Sequence, residues 1–313
     1  MSRSLLLAAI AVVVLATGPA CAEAVFPPGS KVGLTPPAGF KPSDAFRGFE
    51  EKLSGAAILT LELPAQAYGD IEKAMTAPAL KKQGVIVEKR EQLALKSGKA
   101  VLLVGRQEAD GKLMRKWILL GSTPALTALV TVLVPDAAKG TFSDSAIRAA
   151  LASVEVRDSV PIDEQMTLLP YRVDELAGLR AERVVAPGTV ILTSGPKDTL
   201  DANDQPLLLI SAAPGGPEET LQRDNFARNL FAGYGGLKDV HVLGTDLIRL
   251  AGQQTHQLMA EAKDAKTDAD VKLVQWVRFG NGAYLRFLGV AKSDEWSDAF
   301  PRFRAVRDGV GPR

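Results

Sequence analysis

One ordered series of apolar runs and turn signals occurs twice along this 313-residue chain, and that repetition constrains the fold more than any motif does. In the first copy, Ala57 to Leu63 reads as a strand and Ala67 to Gln83 as helix restarting near Pro78. Val85 to Leu95, Ala100 to Glu108, Lys112 to Leu120 and Leu126 to Val134 read as strands separated by turns at Lys96-Ser97-Gly98 and Asp110-Gly111. A helix over Asp144 to Ser153 closes the copy, with Ile147, Ala150, Leu151 and Val154 at helical spacing. The second copy runs in the same order. Pro206 to Ala212 is the strand and Glu218 to Phe231 the helix. Val240 to Leu250, Gln253 to Lys263, Val271 to Phe279 and Ala283 to Val290 are the meander, and Asp294 to Arg307 is the last helix.

Two anchors lift this above shared composition. Lys116-Trp117-Ile118-Leu119-Leu120-Gly121 aligns with Gln275-Trp276-Val277-Arg278-Phe279-Gly280, and Ser143-Asp144 aligns with Ser293-Asp294 before each final helix. The longer turn over Lys263 to Asp270 is an insertion, which costs little in a surface loop. The expected architecture is α+β: two tandem units, each an antiparallel β-sheet, a meander, with helices packed on one face. The units span 23–157 and 158–313, with the junction near Arg157 to Pro161. Pro27-Pro28 and Pro36-Pro37 make the opening segment extended and edge-like, because proline fixes φ and removes a backbone donor.

The order of Pro37-Ala38-Gly39-Phe40, the strand Ala57 to Leu63 with its following helix, the Gly98 turn, the Trp117 strand and the closing helix resembles the PsbP-like fold family, which includes the photosystem II PsbP protein and bacterial envelope relatives. The second copy keeps the last three features, with Leu169-Pro170-Tyr171 where a Pro-x-Gly-aromatic opening belongs. The resemblance implies a binding or assembly module rather than an enzyme. It carries no functional residue of the family onto a matched position here.

Residues 1–22 read as a cleavable secretory signal peptide. Arg3 precedes the apolar run Leu5 to Ala16, Gly18-Pro19 breaks it, and Ala20-Cys21-Ala22 has the small-x-small form of a cleavage site. A retained anchor is the alternative. Cleavage after Ala22 leaves a chain without cysteine, since the sequence has 1 Cys, and so excludes disulfides, thiol catalysis and thiolate metal sites. The expected location is the periplasm. With 37 basic and 36 acidic residues, the chain lacks the basic excess that captures nucleic acid.

The search for chemistry returns little. His241 and His256 are the 2 histidines, both expected on the solvent side of strands flanking the Gly252 turn. No Gly-x-Ser-x-Gly elbow occurs, because Leu192 precedes Ser194-Gly195 by two positions. The acidic stretches 198–204 and Asp264 to Asp270 lack the glycine and oxygen spacing of a calcium loop and read as solvated loops. The glycine-rich run Phe231 to Gly236 follows a helix instead of opening one, which is the wrong order for a phosphate cradle. No catalytic, cofactor-binding or metal residue is assigned, and no cofactor is expected.

Two sets of residues stand out as candidate surfaces. Arg302, Arg304 and Arg307 lie on the last helix beside the apolar stripe Trp296, Phe300, Phe303 and Val306. They form a candidate interaction face for an acidic partner or for peripheral contact with anionic lipid. Trp117 and Trp276 occupy equivalent strand positions, as core or as a candidate aromatic platform. The reading that results is an exported, non-catalytic module binding a protein or envelope component through a groove between the units. The alternatives are a hydrolase using acidic residues in an interdomain cleft and a carrier of a small apolar ligand.

Overall fold

The structure, a computed structural model, describes residues 23–313 except 97, 110, 186–187, 198–202, 251 and 281. The signal segment with Arg3, Ala20, Cys21 and Ala22 lies outside the described residues, as does 198–202 of the first acidic stretch. The chain divides into two compact units between Asp158 and Ser159.

Unit 1 opens with the short strands β1 (Val32–Gly33), β2 (Lys41–Pro42) and β3 (Gly48–Glu51), then β4 (Ala56–Leu63). Helices α1 (Tyr68–Ala74) and α2 (Ala77–Lys82) lead to β5 (Val85–Leu95), β6 (Gly98–Ala109), β7 (Lys112–Ser122) and β8 (Thr127–Pro135), and the unit closes with α3 (Asp144–Ala152) and β9 (Glu155–Val156). Unit 2 begins with a short helix, α4 (Ile162–Met166), and continues through β10 (Tyr171–Val173), β11 (Arg180–Val185), β12 (Thr189–Thr193) and β13 (Leu207–Pro214). Then come α5 (Thr220–Ala232), β14 (Leu237–Leu250), β15 (Gln253–Asp264), β16 (Asp270–Gly280), β17 (Ala283–Lys292), α6 (Trp296–Asp308) and β18 (Val310–Pro312).

The two sheets have one topology. Unit 1 pairs in the order β2-β3-β4-β8-β7-β6-β5 and unit 2 in the order β11-β12-β13-β17-β16-β15-β14, all antiparallel. In each unit the first strand also pairs with the last: Val32 lies opposite Val156, and Tyr171 opposite Pro312. The chain is therefore α+β, with two seven-stranded antiparallel sheets in tandem.

Strand alternation explains the packing. Ala100, Leu102 and Val104 of β6 join Ile147, Ala150 and Leu151 of α3 in one core. Their neighbours Val101 and Leu103 join Leu80 of α2 in another. Unit 2 repeats this, with Trp276 and Phe287 packed on Phe303 of α6, and Leu258, Leu273 and Leu288 packed on Phe231 of α5. Each sheet thus carries helix on both faces, where the sequence pattern had placed helix on one. Gly289 of β17 permits the close seating of α6, since a Cβ there would stand 2.5 Å from the Phe303 ring.

Local signals set the element ends. Thr76 caps α2, accepting from Ala79 N, and Pro78 sits in its first turn, where the missing N–H costs nothing. Ser143 caps α3 by accepting from Ala146 N. Its sequence counterpart does not do the same. α6 starts at Trp296 with Glu295 as an unbonded N-cap, and Ser293 N donates to Asp270 O at 2.9 Å instead.

The opening of unit 2 also lies elsewhere than Leu169-Pro170-Tyr171. Tyr171 starts β10, the counterpart of β1. The equivalent of Pro37-Ala38-Gly39-Phe40 is Leu176-Ala177-Gly178-Leu179. Both segments run directly into the next strand, at Lys41 and Arg180, and close the same turn, Phe40 N to Pro37 O at 3.2 Å and Leu179 N to Leu176 O at 2.8 Å. Gly39 and Gly178 both take positive φ, of 93° and 76°, a conformation open to glycine at little cost.

Candidate functional site

β14 is the edge strand of the unit 2 sheet, bonded to β15 on one side only. It is 14 residues long, and none of its residues is buried. Leu237, Lys238 and then His241 pair with Asp264, Lys263 and Glu261, so β14 gains one residue there, and Asp239 at φ 53° takes up the bulge. A second bulge at Leu243 separates Val242, opposite Ala260, from Gly244, opposite Met259. Such insertions reverse the alternation of side chains. The consequence is specific. Val242, Thr245 and Leu247 lie opposite Ala260, Leu258 and His256, the β15 residues that face α5, so the apolar side chains on both sides of the bulge share the α5 face.

α5 covers that face incompletely. Its buried residues are Ala227 and Phe231, and Leu221 is 91% exposed. Between the helix and the edge strand runs a groove of about 390 Å³ lined by Phe231, Ala232, Tyr234, Leu237, Val240 and Val242. Val240, Val242, Leu243 and Leu247 are 47%, 39%, 53% and 61% exposed, a concentration of apolar surface on an unpaired strand.

Polar contacts hold the groove's walls. Asp224 of α5 accepts from Arg228 Nε at 2.8 Å and lies 2.6 Å from His256 Nε2, while Arg228 also donates to Thr245 Oγ1 of β14 at 2.8 Å. The Arg228 and His256 contacts hold the Asp224 carboxyl below its usual range. At the other end, Tyr234 donates to Asn203 Oδ1 at 2.8 Å, and Asn203 is bonded in turn to Asp264. Burial pushes the Tyr234 hydroxyl up to about 12. Burial also pushes Asp264 up, but hydrogen bonds from Asn203 and Thr267 outweigh it and hold the carboxyl well below its usual range.

The sequence candidates fall into place around this frame. His241 is exposed, as expected, but His256 is buried, because its register position lies under α5. The two do not approach across the hairpin: His241 pairs with Glu261 and His256 with Leu247. Among the described residues His256 Nδ1 is buried without a hydrogen-bond partner, and the Asp224–His256 contact links α5 to β15. Asp264, Asp268 and Asp270 of the second acidic stretch bond to Thr267, Lys238 and Lys263. Among the described residues no group of three or more His, Cys, Asp or Glu side chains is placed to hold a metal.

The three arginines of α6 do not share one environment. Arg302 is paired with Asp298 and Arg304 lies over Phe300, but Arg307 is buried, stacked 4.6 Å from the Trp276 ring and bonded to Asp308. Helical periodicity turns Arg307 inward, beside Val306, and its aliphatic stem joins the core. Trp117 and Trp276 are fully buried and offer solvent no face; their indole N–H groups donate to Asp144 and Gln257. The equivalent positions are core anchors.

Among the described residues no helix is long and apolar enough to cross a membrane. No family model matches the chain, and no curated protein matches it. Among solved structures, it is similar to the cyanobacterial PsbP (CyanoP) of Synechocystis sp. PCC 6803, at 15% identity and a TM-score of 0.34, over 46% of this chain and 87% of that one. LpqN of Mycobacterium tuberculosis, involved in cell envelope biogenesis, matches at 15% identity and a TM-score of 0.35, over 45% of this chain and 82% of that one. The T6SS immunity protein TplEi of Pseudomonas aeruginosa, solved with the "L" peptide, matches at 9% identity and a TM-score of 0.31, over 93% of this chain and 98% of that one. The α+β architecture itself rests on the strand pairing described above.

Proposed function

We propose that this chain is an exported periplasmic binding module without catalytic activity, and that it docks a protein partner along the free edge of β14. The partner segment is an extended strand with apolar side chains at alternate positions. The observation that carries this reading is the row Val240, Val242 and Leu247, exposed on the one long unpaired strand that borders an apolar groove. An edge strand presents unpaired N–H and C=O groups, and an added strand satisfies them while its alternate side chains enter the groove. Exposed apolar side chains on a sheet edge are an aggregation hazard, which a covering strand would remove.

The test is site-specific photocrosslinking in intact envelopes. A crosslinker placed at Val242 is expected to trap one reproducible partner, and one placed at Ile86 of β5 is not. The double variant Val242→Lys, Leu247→Lys should abolish the product while leaving the circular dichroism spectrum unchanged. Equal products at both positions, or a product that survives the double variant, would reject the edge as the docking surface. Export is tested separately: the protein recovered from the periplasm should begin at Glu23.

A further inference from the structure

On the α6 face of the unit 2 sheet, near the ribbon of β10 and β18, Tyr171, Arg278, Ala283, Leu285, Val310 and Pro312 line a cavity of about 280 Å³, bordered at the ends of β16 and β17 by Phe279 and Tyr284, whose rings pack on Phe226 of α5. Its lining is aromatic and aliphatic apart from the Arg278 guanidinium and Gln253. That size is close to the lower end of small-molecule sites, which start at roughly 300 Å³.

Arg278 is poorly neutralised. Its terminal nitrogens donate to two backbone carbonyls, Arg307 O at 2.8 Å and Val310 O at 3.3 Å, and the group lies 5.2 Å over the Phe287 ring. Its Nε is buried with no hydrogen-bond partner. Directly across the strand register, Thr255 is fully buried and its Oγ1 is unpartnered as well. The carboxylate that acts on Arg278, Asp308, is engaged by Arg307 through Nε and a terminal nitrogen. Two guanidiniums therefore share one carboxylate, and burial and the Arg307 charge both disfavour the charged form of Arg278. Arg278 is half-buried with its Nε out of reach of water, and a charge so withdrawn is retained at a cost unless an anion pairs with it. The fold itself does not require an arginine here. Counting from the equivalent tryptophans, the unit 1 residue at this position is Leu119, which is fully buried and apolar.

We propose that this cavity binds a small carboxylate with an apolar body. The carboxylate pairs with Arg278, in the fork geometry that guanidinium offers it. The body fills the space beside Tyr171, Leu285 and Val310. This site is separate from the β14 edge.

Calorimetric titration of the full chain with octanoate and with 1-octanol tests the assignment. Octanoate is expected to bind about tenfold more tightly than 1-octanol, the factor a charge-assisted pair can supply. Arg278→Gln should remove that preference, and Arg302→Gln should keep it. Ala283→Leu narrows the cavity without touching Arg278 and should weaken both ligands by a similar factor. The variant Val242→Lys, Leu247→Lys should leave octanoate binding unchanged, which keeps this result independent of the docking reading. Equal affinity of the two probes, no binding of either, or an undiminished preference in Arg278→Gln overturns the proposal. Should Arg278→Gln fail to fold, unchanged octanoate binding in Ala283→Leu overturns it.

Discussion

β5 in unit 1 and β14 in unit 2 hold the same place in the same topology, yet they meet solvent differently. β5 is 11 residues long, and α2 packs across it: Leu80 is buried with Val85, Val101, Leu103 and Ile118. It also carries Glu88, Lys89, Arg90 and Glu91, paired with Arg106, Arg148 and Glu72 among others. β14 is three residues longer, carries two bulges and leaves four large apolar side chains open. Charges and a covering helix are ordinary ways of protecting a sheet edge. On β5 these protections leave few apolar side chains open, whereas on β14 the helix covers incompletely and Val240, Val242, Leu243 and Leu247 remain exposed beside its charges. The difference teaches that the edge is dispensable for the fold and free to take another role in one copy.

Substitutions test this contrast directly. The largest effect is expected where the units agree. Trp117→Ala and Trp276→Ala each remove a fully buried ring, and each should cost about 3–5 kcal/mol by denaturant unfolding. A loss in only one unit would show that the anchors are not equivalent. Next is Leu80→Ala, which strips the cover from β5 and should cost roughly 2–4 kcal/mol. It should also turn unit 1 into a second adhesive edge, seen as self-association by analytical ultracentrifugation. No change in association would mean that the charges of β5 protect it unaided.

The third effect is pH-dependent. Burial raises the Tyr234 hydroxyl to about 12, above its ordinary value near 10. The neutral form is favoured in the folded state, so the contribution is complete below pH 10 and is lost as pH rises from 10 to 12. A shift of this size corresponds to about 3 kcal/mol. Hydrogen exchange should therefore show unit 2 loosening first in that window, and Tyr234→Phe should flatten the response there. Tyr171, raised by burial in the same unit, adds to the effect. The smallest contrast is between two serines. Ser143→Ala removes the α3 cap and should cost about 1 kcal/mol, whereas Ser293→Ala, at a position that caps nothing, should change stability by less than about 0.5 kcal/mol.

Most long strands and helices were legible because each signal is local. Alternation in Thr127–Pro135, the Gly98 and Gly252 turns and the Pro78 restart all act within a few residues. The short strands β1, β9, β10 and β18 were not legible, because two or three residues carry no period and their partners lie more than a hundred positions away. The unit 2 opening left a readable trace: Ala177-Gly178-Leu179 before Arg180 parallels Ala38-Gly39-Phe40 before Lys41. The candidate site was hidden for a different reason. The run Val240 to Leu250 looks like one alternating strand, and nothing within it shows that bulges place Val242 and Leu247 on one face.

The duplication, the α+β class and the boundaries of the main elements were legible in the sequence alone. Each follows from periodicity, turn residues or composition, which are properties of neighbouring positions. What only the tertiary structure decided is which side of each strand is covered. That turned His256 and Arg307 from surface residues into buried ones, left β14 open and set Arg278 in an apolar cavity without a carboxylate of its own. The physical reason is that burial depends on elements distant in the chain, and one bulged residue or one missing helix changes which side chains meet water.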